Sequence, residues 1–197
     1  MTMQGFPQYV VAPGRALFRI HGSRFGPWYF RSDGLFRFDL IDRPGWGTCY
    51  FAEDPLGAFV EVLQGFRNVS LPRAELQARA LYRYAVEHTL VLADVTQQAA
   101  GRFGLDISIS GGSPAGYDAS QSFARDAFDA GFAGIRYRVR HDLEQKLTGI
   151  ALFGPDGAQP NDLLTGDVTE LDEHLMARAC DCASFRTRGP LLDPTPP

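Results

Sequence analysis

Four side chains in the first third of the chain have types suited to an anionic, aromatic ligand: Arg19, Arg37, Tyr50 and Glu61. Arg19 and Arg37 sit among large apolar neighbours in ALFRIH and LFRFDL. A guanidinium on an inward strand face needs an anion, because a buried charge left unpaired is expensive. The partner is either a carboxylate of the chain, such as Asp39 or Glu53, or a phosphate clamped in bidentate fashion. Glu61 lies on a helical wheel nearly opposite the stripe of Leu56, Phe59, Val60 and Leu63. It is either a solvated carboxylate on an outer face or, if that face lines a cleft, a group able to stabilise a developing cation. Tyr50 is either a core aromatic with its hydroxyl at the surface or a flat ring offered to an aromatic ligand.

Other chemistry is excluded by pattern. The chain has no GxGxxG, Walker loop, HExxH or GxSxG. His174 with Cys180 and Cys182 lacks the spacing of a standard zinc site and reads as thiols on an apolar stripe. His21, His88 and His141 are scattered, with no evident nucleophile beside them. No metal and no resident cofactor are expected.

The elements that must position these groups follow from periodicity. Ala16–His21 and Leu35–Leu40 alternate as half-buried strands, and Thr48–Ala52 is a third, entered through Pro44-Gly45-Trp46-Gly47. Asp54 as N-cap and Pro55 as first helical residue start a helix whose apolar stripe carries Leu56, Phe59, Val60 and Leu63. A short helix is expected near Arg73–Ala78, then strands Ala80–Glu87 and Thr89–Asp94. Asp118–Ala130 is a helix stopped by Gly131, followed by strands Gly134–Val139 and Leu147–Phe153 and a final helix near Val168–Cys182. This intermixing without regular strand–helix–strand crossovers predicts an α+β fold. Residues 1–14 and 186–197, rich in Gly and Pro, are expected to be flexible termini around a single domain spanning 15–185.

The chain has 197 residues with 19 basic against 23 acidic ones, a formal charge of −4. That balance argues against a broad nucleic-acid surface, and no apolar run approaches the roughly 18 residues of a membrane span. Three cysteines make a sparse, odd set that fits a reducing compartment, so a cytoplasmic protein is expected.

Taken in order, Leu17-Phe18-Arg19-Ile20, Arg37-Phe38-Asp39, Gly47-Thr48-Cys49-Tyr50-Phe51-Ala52 and Ala58-Phe59-Val60-Glu61 resemble the RES domain. Leu92-Ala93-Asp94-Val95-Thr96, Gln121-Ser122-Phe123-Ala124, Gly131-Phe132-Ala133-Gly134-Ile135-Arg136-Tyr137 and Ala151-Leu152-Phe153 continue the likeness over about residues 15–155. The resemblance implies a fold of mixed, mostly antiparallel sheets with flanking helices, similar to ADP-ribosyltransferases. It also implies degradation of NAD by phosphorolysis or hydrolysis, as in toxins of toxin–antitoxin pairs, with NAD as substrate and inorganic phosphate as an optional co-substrate. An antitoxin protein would be the partner, with no direct nucleic-acid or membrane contact and with oligomerisation left open. Arg19 and Glu61 would be the family's arginine and glutamate, Arg37 a second substrate-binding arginine, and Tyr50 the aromatic at the nicotinamide ribose. Val139 stands where the family serine is expected, with Ser120 or Ser122 as substitutes from the preceding helix. A mono-ADP-ribosyltransferase and a non-catalytic NAD-binding relative are the alternatives.

Overall fold

The computed structural model describes residues 2–63, 70–71, 73–112, 116–159, 166–171, 175 and 186–187. Its strands are β1 (Gln8–Val11), β2 (Ala16–Gly22), β3 (Tyr29–Phe30), β4 (Trp46–Ala52), β5 (Ser70–Leu71), β6 (Arg79–Ala85), β7 (Leu90–Asp94), β8 (Gly134–Arg138), β9 (Thr148–Pro155), β10 (Gly157–Ala158), β11 (Gly166–Glu170) and β12 (Arg186–Thr187). The helices are α1 (Pro55–Leu63), α2 (Arg73–Gln77), α3 (Ser108–Gly111) and α4 (Tyr117–Asp129), with a 3-10 turn at Gln98–Phe103. Eight strands form one sheet in the order β1-β7-β8-β9-β4-β2-β6-β11. Within this sheet only β7 and β8 run parallel, every other neighbouring pair being antiparallel, while β5 and β12 pair in parallel apart from it. The fold is therefore α+β with a mixed, mostly antiparallel sheet, as the intermixed pattern predicts. No described helix is long and apolar enough to cross a membrane.

Local chemistry explains the helices nearest the site. The Asp54 carboxylate accepts the Leu56 N–H at 2.7 Å, which satisfies one of the donors a helix start leaves free. Leu56, Phe59, Val60 and Leu63 are all buried, packed with Ile20, Ala52 and Val139. α4 buries Phe123, Ala124 and Ala127 against Phe38, Ile135, Tyr137 and Ala151. It ends at Gly131, whose φ of 85° is one that residues with a side chain rarely adopt. The alternate residues of the central strands, Leu17, Cys49, Phe51, Ile150 and Leu152, build a further core with Val11, Phe30, Tyr82 and Val86.

Three expectations are corrected. Leu35–Leu40 is not a strand: no ladder forms there, and Asp39 turns the chain by accepting the Phe36 N–H on its carboxylate while its own N–H bonds the Phe36 carbonyl. An aspartate offers the backbone this alternative to a sheet ladder. Residues 1–14 are not a free arm, because β1 pairs with β7 from Gln8↔Ala93 to Val11↔Leu90, and Met3, Phe6 and Val11 are buried. A sheet edge supplies pairing partners that a tail's composition does not reveal. Val168 does not start a helix but lies in β11, which extends the sheet beside β6; Val and Thr suit a strand. Leu175 is helical and buried, while most of the rest of that expected helix, with His174, Cys180 and Cys182, lies outside the described residues, as does most of the expected 186–197 tail.

One feature of the sheet decides where a ligand can enter. β2 and β4 are joined through a single register pair, Phe18↔Ala52, whereas β2 pairs with β6 over seven positions. The two halves of the sheet splay apart beyond that point. Arg19 bridges the opening, its Nη1 donating to the Tyr50 carbonyl at 2.8 Å.

Away from this opening, Arg136 holds the sheet's other half. It donates to Glu53 Oε2 at 3.1 and 2.9 Å, lies 3.4 Å from the Asp94 carboxylate and packs over the Tyr9 ring. Thr148 also donates to Glu53. The Glu53 and Asp94 side chains are 9% and 2% exposed, so removing their cation strands two carboxylates in a desolvated site. Arg136→Ala is expected to lower the unfolding free energy by about 3–5 kcal/mol, measured by urea denaturation at neutral pH.

Candidate active site

The opening between β2 and β4 is a cleft of about 940 Å³, within the size range of small-molecule sites. Arg19, Arg37, Tyr50 and Glu61 all line it, so the structure brings together the four residues that spacing alone could not connect. Each arrives on a different element. Arg19 comes from β2, Tyr50 from β4, Glu61 from α1, and Arg37 from the turn between β3 and β4.

Glu61 resolves in favour of the cleft. Its residue is half-buried, and Oε1 is shielded from solvent with no hydrogen-bond partner. Burial raises its pKa above the usual carboxylate value, against the opposing pull of the Arg37 charge and a hydrogen bond from the Arg140 backbone. A carboxylate kept short of partners in this way has acceptor capacity left for a ligand.

Neither arginine pairs with the acids considered from sequence. Glu53 is taken by Arg136, and Asp39 by the Tyr50 hydroxyl and the Phe36 N–H. Among the described residues no carboxylate lies within ion-pair distance of Arg19 or Arg37, and the Nε of each is buried without a partner. Arg37 is only 7% exposed, with its guanidinium 5.5 Å from the Tyr137 ring centre and 5.8 Å from that of Phe38. Aromatic faces attract a cation without neutralising it. Both guanidiniums thus keep their charge for an incoming anion.

Tyr50 departs from both of its sequence readings in one respect. Its ring lines the cleft beside Phe36, but its hydroxyl points inward, donating to Asp39 Oδ1 at 2.8 Å and accepting the Phe38 N–H at 3.1 Å. Burial, reinforced by the Asp39 carboxylate, raises its pKa well above the ordinary phenol value, so it stays neutral. Tyr137 forms another wall. Its ring lies over Gly149, the residue directly opposite on β9, and only a residue without Cβ leaves it room.

Several lining residues escaped the sequence reading. Arg31, Arg79 and the aromatics Phe25, Tyr29 and Tyr117 carried no signal that could have pointed to a cleft, and Phe36 was read only as part of an alternating strand. His21, set aside as scattered, also lines it and is held in a neutral-favouring setting by burial, with Nδ1 against the Gly22 carbonyl. The walls therefore hold four arginines and one glutamate; Arg31 and Arg79 pair with Asp33 and Glu75, which leaves Arg19 and Arg37 against Glu61, an excess of positive charge in a chain of net charge −4. No serine lines the cleft among the described residues. Val139 is packed in the core, Ser120 donates to the Tyr117 carbonyl, and Ser110 approaches the Arg138 N–H at 3.4 Å. No group of three His, Cys, Asp or Glu residues is placed to hold a metal among the described residues.

With this geometry in hand, comparison with known proteins adds a family and a fold. A family model described as RES domain matches residues 16–169. Among solved structures, the chain is similar to a chain in the crystal structure of the M. tuberculosis MbcT–MbcA toxin–antitoxin complex, with a TM-score of 0.63 and 16% identity. That match covers 86% of this chain and 91% of the other. At such identity it speaks for the fold alone. No curated protein matched in sequence.

The electrostatics of Glu61 predict a trade between stability and charge. Its folded pKa is raised, so above that value the native state carries a carboxylate it would hold better protonated, while the unfolded state ionises freely. Glu61→Gln is expected to be more resistant to urea than wild type at neutral pH. Its advantage should shrink as pH falls through the folded pKa, because wild type then takes up the proton. Equal urea midpoints at neutral pH would contradict this account.

Proposed function

The chain belongs to the RES domain family, and from that premise we propose that it cleaves the nicotinamide–ribose bond of NAD, with water or inorganic phosphate as acceptor. The observation that carries this reading is the pairing of a partner-poor Glu61 with two unneutralised arginines inside one aromatic-walled cleft. NAD offers a pyrophosphate to guanidiniums, ribose hydroxyls to a carboxylate and flat bases to aromatic walls.

The chemistry follows from charge. As the bond between the ribose anomeric carbon and the ring nitrogen breaks, its electron pair leaves with nicotinamide, which departs neutral. Positive charge develops on the ribose carbon and ring oxygen. Glu61 accepts hydrogen bonds from the ribose hydroxyls and stabilises that charge, an interaction stronger in the transition state than in the ground state. Arg19 and Arg37 anchor the pyrophosphate, and Tyr50 packs on the nicotinamide or its ribose. Attack by water gives ADP-ribose and a proton; attack by a phosphate oxygen gives ADP-ribose 1″-phosphate. Glu61 Oε1 and the Nε atoms of Arg19 and Arg37 are shielded from solvent, so the interactions of these groups act at a reduced dielectric.

We further propose that the protein is the toxin of a toxin–antitoxin pair, a reading supported by family membership and by the assembly named for the structural neighbour. An antitoxin would then be the protein partner. That no serine lines the cleft among the described residues favours one competing reading, a relative that binds NAD without turnover. Transfer of ADP-ribose to a macromolecule would use the same site.

One assay separates these outcomes. Purified protein incubated with labelled NAD, with and without phosphate, is expected to release nicotinamide and small ADP-ribose products; label fixed on protein would indicate transfer, and binding without products a silent site. Glu61→Gln should lower kcat by about 10²–10³, the scale of losing one preorganised electrostatic contact. Arg19→Ala should mainly raise KM, since pyrophosphate binding persists through the reaction. Wild-type NAD turnover in Glu61→Gln would refute the assignment.

A further inference from the structure

Arg37 is presented by a turn, not by a strand, and a turn must be held in place by something. The residues from Gly34 to Leu40 have no ladder of their own, yet Phe38, Asp39 and Leu40 are completely buried. Side chains from elsewhere take up their backbone groups. Gln121 of α4 donates to the carbonyls of Gly34 and Phe36 at 2.8 and 3.0 Å. Thr48 of β4 donates to the Phe38 carbonyl and accepts the Leu40 N–H. Asp39 occupies the centre. Its two oxygens are divided, Oδ2 accepting the Phe36 N–H at 2.9 Å and Oδ1 accepting the Tyr50 hydroxyl at 2.8 Å, and that hydroxyl in turn accepts the Phe38 N–H. The residues on either side of Arg37 are thus fixed by one carboxylate, directly at Phe36 and through Tyr50 at Phe38.

We propose that Asp39 is a positioning residue of the cleft, which sets the direction of the Arg37 guanidinium, and hence anion binding, through the Phe36 N–H and the Tyr50 hydroxyl. The function is specific to a carboxylate. Asparagine has a single acceptor oxygen, so its amide N–H₂ must face either the Phe36 N–H or the Tyr50 hydroxyl. In the first case two donors oppose each other; in the second the hydroxyl, already accepting from Phe38, must accept again and its own proton is left unbonded. Asp39 serves this purpose at a cost. It has no ion-pair partner among the described residues, and burial raises its pKa to about 6, with Asp33 adding repulsion while the Phe36 N–H and Tyr50 hydroxyl act against the shift. Arg31, the nearby cation, is committed to Asp33.

The test is a double-mutant cycle read by an anion. Inorganic pyrophosphate is titrated calorimetrically into wild type, Asp39→Asn, Arg37→Ala and the double variant, and KM and kcat for NAD are measured in parallel. Asp39→Asn is expected to weaken pyrophosphate binding about tenfold, the scale of losing a hydrogen bond to a charged group. In the Arg37→Ala background, where Arg19 still holds the anion, the same change should have no further effect. For NAD, KM should rise by a similar factor while kcat changes less than twofold. A folded Asp39→Asn that binds pyrophosphate like wild type overturns the proposal, as does equal weakening in both backgrounds, or binding that ignores Arg37 altogether. If Asp39→Asn does not fold, Tyr50→Phe, which keeps the ring and removes the linking hydroxyl, enters the same cycle with the same expected coupling. The NAD readout rests on the function proposed above, but the pyrophosphate cycle does not. Wild type that binds pyrophosphate through Arg37 and leaves NAD intact would refute the cleavage reading alone.

Discussion

Two guanidiniums and a carboxylate share a cleft without neutralising one another, and the surrounding structure is arranged to keep them so. Opposite charges this close to a common space would normally collapse into ion pairs, since a buried charge without a partner is unfavourable. Here the obvious acids are already committed: Glu53 to Arg136, Asp33 to Arg31, Asp39 to a hydroxyl and a backbone N–H. Arg19 is held by a carbonyl and Arg37 by aromatic faces, contacts that orient a cation while leaving its charge available. The positive interior of an otherwise acidic chain is the outcome.

The sheet makes this possible by failing to close. If β2 and β4 paired along their whole length, Arg19 and Tyr50 would face a continuous pleated surface with no depth. A single register pair joins them, and the splay beyond it creates the depth into which α1 turns Glu61. The cost of separating the strands is met on either side by long, regular ladders, β2 with β6 and β4 with β9. Rigid flanks around one local opening suit a site that must hold several groups to within a fraction of an ångström.

Such an arrangement sets stability against function. Among the described residues, Glu61 carries an oxygen with no partner, Asp39 is a buried acid without a cation, and Arg19, Arg37 and Arg79 each retain an unbonded Nε. Each of these would be an error in a core designed for stability alone. Most of the unpartnered buried polar atoms among the described residues lie on the walls of this one cleft, the exception being Glu53 Oε1 beside Arg136, a clustering typical of functional sites.

Much of this was legible in the residues themselves. The Asp54-Pro55 start of α1, its apolar stripe, the Gly131 stop, the alternation of β2 and β6 and the short apolar runs of β4, β8 and β9 are local signals, written in nearest-neighbour sterics and in the periodicity and length of apolar segments. The residue types at 19, 37, 50 and 61 were legible as well, and the fold gathers all four on the walls of one cleft. Tertiary structure alone decided the rest. Arg37 lies on a turn because Asp39, Tyr50, Thr48 and Gln121, from three separate segments, outbid strand pairing for its backbone. Gln8–Val11 and Gly166–Glu170 became edge strands because β7 and β6 presented unpaired groups that no reading of those short segments could supply. Whether Glu61 met water or a cleft depended on where β2 parted from β4. Local sequence encodes what a segment prefers, but an unpartnered charge is defined by what is missing around it, and only the folded chain determines that.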